Sequence, residues 1–183
     1  MGFYEKRCAL REPLTRLNNP GRFLRFLWRF CYILFYYPTP VFMHRWRCIV
    51  LNIFGAEVAL DAFPYPSAKI WAPWNLVMKS GSCLGPDVQC YNVCRVKLEE
   101  RALVSQRVHL CTASHEFDSC TFDLVGAPIS IMSDAWIASE SFIAPGVNIQ
   151  ARAVVLARAV VVKDVPSGLI VGGNPARIIR IRK

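Results

Sequence analysis

The sequence predicts a mainly-β chain built as a left-handed parallel β-helix of hexapeptide repeats, with an N-terminal helical cap and a short C-terminal helix. Two observations carry this. From Ile131 onward aliphatic residues recur every six positions, at Ile131, Ile137, Ile143, Ile149, Val155 and Val161, each followed four positions later by a small or β-branched residue: Ala135, Ser141, Val147, Ala153, Ala159 and Val165. Neither a helical period of 3.6 nor a strand period of two keeps six in register, whereas a triangular coil of three short strands and three corners does. The same spacing recurs upstream, from Val58 to Ala62, Pro64 to Ala68 and Ile70 to Trp74, then Met78 to Ser82, Leu84 to Val88 and Cys90 to Cys94, and again at Leu98, Val104 and Leu110.

The chain divides into a cap over 1–57, the β-helix over 58–171 with an expelled loop at 116–128, and a turn and tail over 172–183. In the cap, Arg22, Arg25 and Arg29 share one helical face, with Phe and Leu on the others, and the run ends at Pro38 and Pro40. That uncharged run is too short to span a bilayer. A second apolar and basic stretch runs from Val41 to Gly55, a suitable helix C-cap. Solenoids need such a cover over their open end. The mix of Arg, Trp and Phe leaves open whether these helices also make peripheral contact with an anionic membrane.

The repeat lapses after His115, across a stretch with acidic residues and a Gly-Ala-Pro turn ending at Pro128. Insertions in a solenoid project from its surface and serve as binding-site walls. An imidazole at the base of one is placed to take and return a hydroxyl proton, although spacing alone allows a loop-anchoring histidine equally well. His44 falls in the cap and His109 one hexad before His115, on another side of the triangle. The chain's three histidines therefore offer no converging metal site, and no metal is expected. Downstream, the segment from Lys163 to Arg180 leaves the repeat through Gly172-Gly173 and Asn174-Pro175. It reads as strand, turn and short terminal helix, and Lys163, Arg177 and Arg180 are candidate phosphate ligands.

Composition adds bounds. With 183 residues the chain makes one substantial domain. Hydrophobic residues are 54% and charged residues 19%, enough apolar surface to predict burial between subunits or against a membrane. An excess of 22 Lys and Arg over 13 Asp and Glu, net +9, fits an anionic partner, but the aromatics cluster in the cap rather than on a basic platform, which argues against nucleic acid. The start, Met1 to Arg7, shows no secretory pattern, so a cytoplasmic, reducing location is expected, peripheral at the inner membrane face if the cap binds lipid. The eight cysteines, notably Cys90 and Cys94, then read as packed thiols.

The repeat run, Ser114-His115-Glu116 before an excursion, Ala135-Trp136-Ile137, Ile70-Trp71-Ala72-Pro73-Trp74-Asn75, and the ending Lys163-Asp164-Val165-Pro166 to Gly173-Asn174-Pro175-Ala176 together resemble the hexapeptide-repeat sugar O-acetyltransferases, the colanic-acid-type exopolysaccharide acetyltransferases in particular. The resemblance implies a homotrimer using acetyl-CoA as co-substrate and a saccharide acceptor, with His115 as general base and direct attack in a ternary complex. It implies Tyr91, Asn92, Glu116 and Asp118 on the acceptor side. It assigns Trp136, Ala138, Ser139 and Ala157 to the thioester and pantetheine, a backbone N–H near Ser139 to the oxyanion, and Lys163, Arg177 and Arg180 to the phosphates. The chain departs from the family pattern at Glu116, where Asp is usual, which opens the role of orienting His115 to Asp118 or Asp123. It also carries Ala144, Gln150 and Leu156 where repeat glycines are usual. Acetylation of an amino or nucleotide sugar, and a non-catalytic β-helical scaffold, are the alternatives.

Overall fold

A computed structural model describes residues 12–13, 22–118 and 120–183; Met1 to Arg7 and the side chain of Arg22 lie outside the described residues. Its centre is a three-sided parallel β-solenoid of about six turns. In chain order, face one stacks Glu57–Val58, Leu76–Met78, Val96–Leu98, Ile129–Ile131 and Asn148–Ile149. Face two stacks Phe63–Pro64, Cys83–Leu84, Leu103–Val104, Trp136–Ile137, Val154–Val155 and Leu169–Gly172, and face three stacks Lys69–Ile70, Gln89–Tyr91, His109–Cys111, Phe142–Ile143 and Val160–Val161.

The six-residue phase sets this arrangement. Its aliphatic positions and the small residues four places on, such as Ile137 with Ser141 and Ile149 with Ala153, point inward and are almost wholly buried. Corner residues take left-handed backbone, at Asp87, Arg101, Arg107, Asp134, Glu140, Arg152 and Arg158. Such φ values cost an L-residue roughly 1–2 kcal/mol, and charge pairs stacked along the corners, Arg101 on Asp134 and Arg107 and Arg158 on Glu140, run across the same positions. Corner tightness is sharpest at Gly85, where a Cβ would come 2.8 Å from the Val104 carbonyl and 3.0 Å from the Gln106 nitrogen. Both are backbone atoms of the next coil and cannot yield without breaking the ladder, so Gly85→Ala lowers stability by about 1–3 kcal/mol, seen as a fall of several degrees in Tm by calorimetry.

The cap consists of α1 (Arg22–Cys31), one π-helical stretch (Tyr32–Tyr36) and α2 (His44–Ile53), closed at Gly55 with φ +84°. Trp28 fastens α1 to the first coil: its ring is buried against Tyr36 and Phe54, and its Nε1–H donates to the Ile70 carbonyl at 2.8 Å. Asn52 of α2 grips Val58 through both backbone groups at 2.8 Å, standing in for a missing coil above the first strand. No helix among the described residues is long and apolar enough to cross a membrane.

Two sequence expectations change. The tail Arg177–Ile181 is a strand, antiparallel to Leu169–Gly172 on face two, not a short helix. Three isoleucines in five residues favour a pleated edge, and Gly172 leaves room for Ile179 and Leu156 to meet over it. The excursion also begins earlier than residue 116. Ala113–His115 already leave the coil as one arm of an antiparallel hairpin whose return arm is Leu124–Gly126, with Glu12–Pro13 paired on its outer side. Cys90 and Cys94 are packed thiols as expected, as is Cys48, whereas Cys120 is exposed on the hairpin; burial pushes Cys90 up to about 12 and Cys48 and Cys83 up to about 11.

Candidate active site

All irregularity of the prism collects at one corner, between faces three and one. Val58 pairs with Met78 and Met78 with Leu98, so each of the first two coils advances twenty residues where Ile131 to Ile149 advances eighteen. The extra residues lie in Trp71 to Asn75 and Tyr91 to Arg95, and the hairpin stacks on the same corner one coil later. Asn92 brackets the first two layers: fully buried, it accepts from the Ala72 N–H at 2.9 Å and donates to the Ala72 carbonyl at 2.6 Å. Asn75 returns the tie, donating to the Val93 carbonyl at 2.7 Å. Thr112 joins the third layer by donating to the Tyr91 carbonyl and accepting from the Cys94 N–H. Asn92 thus spends its side-chain amide on the corner, where it ties the turn after Ile70 to the turn after Cys90.

His115 ends the outgoing arm, exposed, in register with Leu124. Its Nδ1 lies 2.9 Å from the Phe122 carbonyl, and its ring stacks on the Phe122 ring with centroids 4.5 Å apart and planes 10° from parallel. A carbonyl only accepts, so this contact fixes the proton on Nδ1 and leaves Nε2 with a free lone pair. Phe122 holds this position at φ +46°, a backbone region seldom used by a bulky residue and one found at sites where geometry is imposed. The orienting group for Nδ1 is therefore a main-chain carbonyl; Asp123 accepts from the Thr121 hydroxyl at 2.6 Å, and Asp118 is exposed at the hairpin tip. Glu116 enters the hairpin through its N–H, which donates to the Asp123 carbonyl.

Beneath the hairpin is a small pocket of about 100 Å³ walled by Trp71, Trp74, Asn75, Tyr91 and Leu124. Tyr91 meets Trp71 edge to face at 5.3 Å. Arg25, Trp71, Trp74, Asn75 and Phe122 were not singled out as site residues by sequence reasoning. The signal for two of the tryptophan-side residues was present: inward positions step by eight from Ile70 to Met78 and from Cys90 to Leu98 instead of by six.

The remaining candidates lie elsewhere on the prism. Trp136 is outward on face two with its Nε1–H donated to the Ser105 hydroxyl at 2.9 Å. Ala138, Ser139 and Ala157 follow on the corner between faces two and three, where the N–H groups of Ser139 and Ala157 have no partner among the described residues. Arg177 and Arg180 are exposed on the last strand of face two, whereas Lys163 lies on the corner of the hairpin. Within one chain, then, the structure brings Tyr91, Asn92, His115, Glu116, Asp118 and Lys163 to one corner. Trp136, Ala138, Ser139, Ala157, Arg177 and Arg180 lie on a different face and corner.

Over 144 residues, 79% of this chain and 79% of the other, the sequence is 37% identical to the protein named as a colanic acid biosynthesis acetyltransferase, WcaF, of Escherichia coli (strain K12). The chain belongs to the hexapeptide-repeat acetyltransferases. It is an acyltransferase by that kinship, as the family resemblance of its motifs implied. No protein-family model matches the sequence. It is also 31% identical over 88 residues to galactoside O-acetyltransferase of Escherichia coli (strain K12), 46% of this chain and 43% of that one. Among solved structures, a maltose O-acetyltransferase from Clostridium difficile 630 superposes with a TM-score of 0.78 at 22% identity, covering 89% of this chain and 90% of the other. A hexapeptide-repeat acetyltransferase from Vibrio cholerae O1 biovar eltor, solved with acetyl coenzyme A, gives 0.77 at 24% identity over 87% of each chain. At these identities the two structures speak to the fold alone, and they agree with the β-helix expected from the repeat.

Proposed function

We propose that the chain is an acetyl-CoA-dependent O-acetyltransferase of a saccharide hydroxyl, working as a homotrimer with His115 as general base and no metal. The observation that carries this reading is the state of His115: Nδ1 tied to the Phe122 carbonyl and Nε2 left as an acceptor, on a hairpin arm whose register partner Leu124 walls an aromatic pocket. Such a pocket suits the C–H faces of a sugar ring, with Tyr91 and Trp71 as walls. His115 takes the proton of the acceptor hydroxyl through Nε2 as that oxygen attacks the acetyl carbonyl. The Ser139 N–H donates to the carbonyl oxygen as negative charge grows there. His115 then returns its proton to the departing thiolate, so the imidazole ends as it began and no acyl group passes through the protein.

His115 and Ser139 stand on different corners of one prism, and this separation supports a trimer in which one chain's hairpin corner faces its neighbour's face two. Face two carries apolar outward residues, Phe63 on the first coil and Leu103 and Trp136 adjacent on the third and fourth, with Ile178 and Ile181 on the last strand, all exposed in the single chain and suited to that contact. Trp136, Ser139 and Ala157 would then hold the thioester and pantetheine arm, and Arg177 and Arg180 the phosphates, with the neighbour's Lys163 corner nearby. A cytoplasmic setting with the cap turned toward a membrane fits Phe23, Phe26 and Ile53, each more than two-thirds exposed at 77%, 69% and 75%.

The shared site has a direct test. Chains carrying His115→Ala and chains carrying Ala157→Trp, each inactive alone, are mixed under conditions that exchange subunits. Random assembly gives about one quarter of sites an intact corner from each parent, so turnover should return to about a quarter of wild type. Mixed trimers that stay inactive would show that each site lies within one chain.

A further inference from the structure

The corner between faces two and three repeats one place in successive coils. The N–H of Arg158 donates to the Ser139 carbonyl at 2.9 Å, that of Glu140 to the Gln106 carbonyl at 3.1 Å and that of Arg107 to the Pro86 carbonyl at 2.9 Å, which puts Ala157, Ser139, Gln106 and Pro86 in one column. Ala157 and Ser139 carry short side chains, whereas Gln106, one coil before Ser139, carries a long one and is exposed. Charge fences the column on the side of face three: Glu140 accepts from Arg107 of the coil before at 2.5 Å and from Arg158 of the coil after at 2.6 Å. On the side of face two, Trp136 reaches out of its own coil. Its Nε1–H donates at 2.9 Å to the hydroxyl of Ser105, which precedes Gln106 in the coil before. Trp136 is 42% exposed, so packing alone does not set its rotamer, and that bond holds the indole across the step between the two coils.

Resting on the reading of the Ser139 N–H as the oxyanion donor, we infer that Gln106 and the Trp136–Ser105 pair close the head of the donor groove and restrict the transferred acyl group to two carbons. With the thioester oxygen at Ser139, the sulfur and the pantetheine arm run toward Ala157 and the arginines of the last strand. The acyl chain then leaves the carbonyl carbon the other way, toward the coil of Gln106. Neighbouring coils are about 4.8 Å apart. An acetyl methyl sits about 1.5 Å from the carbonyl carbon and fits within that step, whereas the last carbon of a butyryl chain sits about 4 Å away and meets the next coil. At that height the column changes from Ser139 to Gln106 and the indole is tied to Ser105, so a longer chain must displace the one or break the other. Ser105 and Gln106 therefore set donor specificity, apart from the backbone groups that hold the pantetheine arm.

Calorimetric titration of the full chain with acetyl-CoA and butyryl-CoA, in the absence of any acceptor, reads the donor step alone. Wild type should bind butyryl-CoA at least about tenfold more weakly than acetyl-CoA, the scale on which a closed pocket rejects extra methylenes. Gln106→Ala should narrow that gap about tenfold, and Gln106→Leu, which keeps the length of the side chain, should retain it. Ser105→Ala removes the acceptor of the indole N–H and should narrow the gap as well, whereas Ser105→Thr keeps a hydroxyl and should retain it. The ratio of the two donors is the readout because a loss of folding or of pantetheine binding would lower both affinities together. Equal binding of the two donors by wild type overturns the inference, as do Gln106→Ala and Ser105→Ala proteins of unchanged Tm and unchanged donor ratio. A chain that binds neither thioester would remove the acetyltransferase reading and this inference with it, while one that binds both alike and acetylates a sugar would remove this inference alone.

Discussion

Replacing His115 by Ala should lower kcat by about 10²- to 10⁴-fold, the span a positioned general base contributes. Acetyl-CoA affinity, measured by calorimetry, should be unchanged. The split follows from the geometry. His115 sits on the hairpin corner, held by the Phe122 carbonyl and ring, while the residues assigned to the thioester and pantetheine lie on face two and its following corner. Deleting the imidazole removes Nε2 and nothing that the coils use for packing, because the side chain is exposed and its stacking partner is itself exposed at 56%. Added imidazole should restore part of the lost rate by entering the space between Phe122 and the pocket, a response that a merely structural histidine would not show. A variant with full turnover would leave the acetyl transfer without a base at this corner and would remove the reading.

How much of this was legible follows from which residues report on their own surroundings. The coil announces itself because every sixth side chain meets the same inward environment, so Ile131 through Val161 could be placed without coordinates, and the interruption after His115 stood out against that regularity. The hairpin's start did not. Ala113 still looks like a small buried residue, and it is buried, but under an antiparallel arm instead of a coil corner. The partner of His115 was sought among carboxylates because side chains are what a sequence displays; a main-chain carbonyl presented by a left-handed Phe122 has no residue type to mark it. Asn92 shows the same limit in reverse. The family resemblance implies an acceptor-side asparagine here, yet its amide closes a ring of backbone bonds with Ala72. The terminal strand is hidden from the sequence because Arg177-Ile178-Ile179-Arg180-Ile181 shows no two-residue alternation and its basic, apolar composition is common to helix and strand.

The proposed division of the site over two corners follows how each corner accepts or refuses extra residues. The corner between faces two and three keeps one length in every coil, and beside the stacked ion pairs of Arg107 and Arg158 with Glu140 it leaves the Ser139 and Ala157 N–H groups without a partner among the described residues. The corner between faces three and one accepts two extra residues in each early coil and a whole hairpin in the third. In the proposed trimer, acceptor recognition would vary on the edge that accepts insertions while the neighbouring chain supplies the edge of constant length.

Arg47→Met should be the most destabilising single change in the cap, costing about 3–5 kcal/mol and lowering Tm by roughly 6–20 °C. By sequence this arginine belongs to a basic stretch, one of several charges that could face solvent or lipid. In the structure it is 1% exposed. Its Nε donates to the Pro64 carbonyl at 2.6 Å, Nη1 to the Pro40 carbonyl and the Thr39 hydroxyl at 2.8 and 2.9 Å, and Nη2 to the Val41 carbonyl at 2.7 Å. One guanidinium thus ties the turn entering α2 to the first coil, and burial pulls its pKa down without an anion beside it to offset the loss of water. Methionine fills much of the volume but leaves three carbonyls and a hydroxyl without their donor, which is the larger part of the cost. Arg47→Lys should fall between, because a single ammonium cannot reach four acceptors spread over a planar fork. Hydrogen exchange should show the loss first in residues 39–58. Since Trp71 to Asn75 of the proposed acceptor pocket end this same first coil, acceptor binding should weaken in Arg47→Met before acetyl-CoA binding does. Equal loss of both would mean that the cap and the distant corner unfold as one unit.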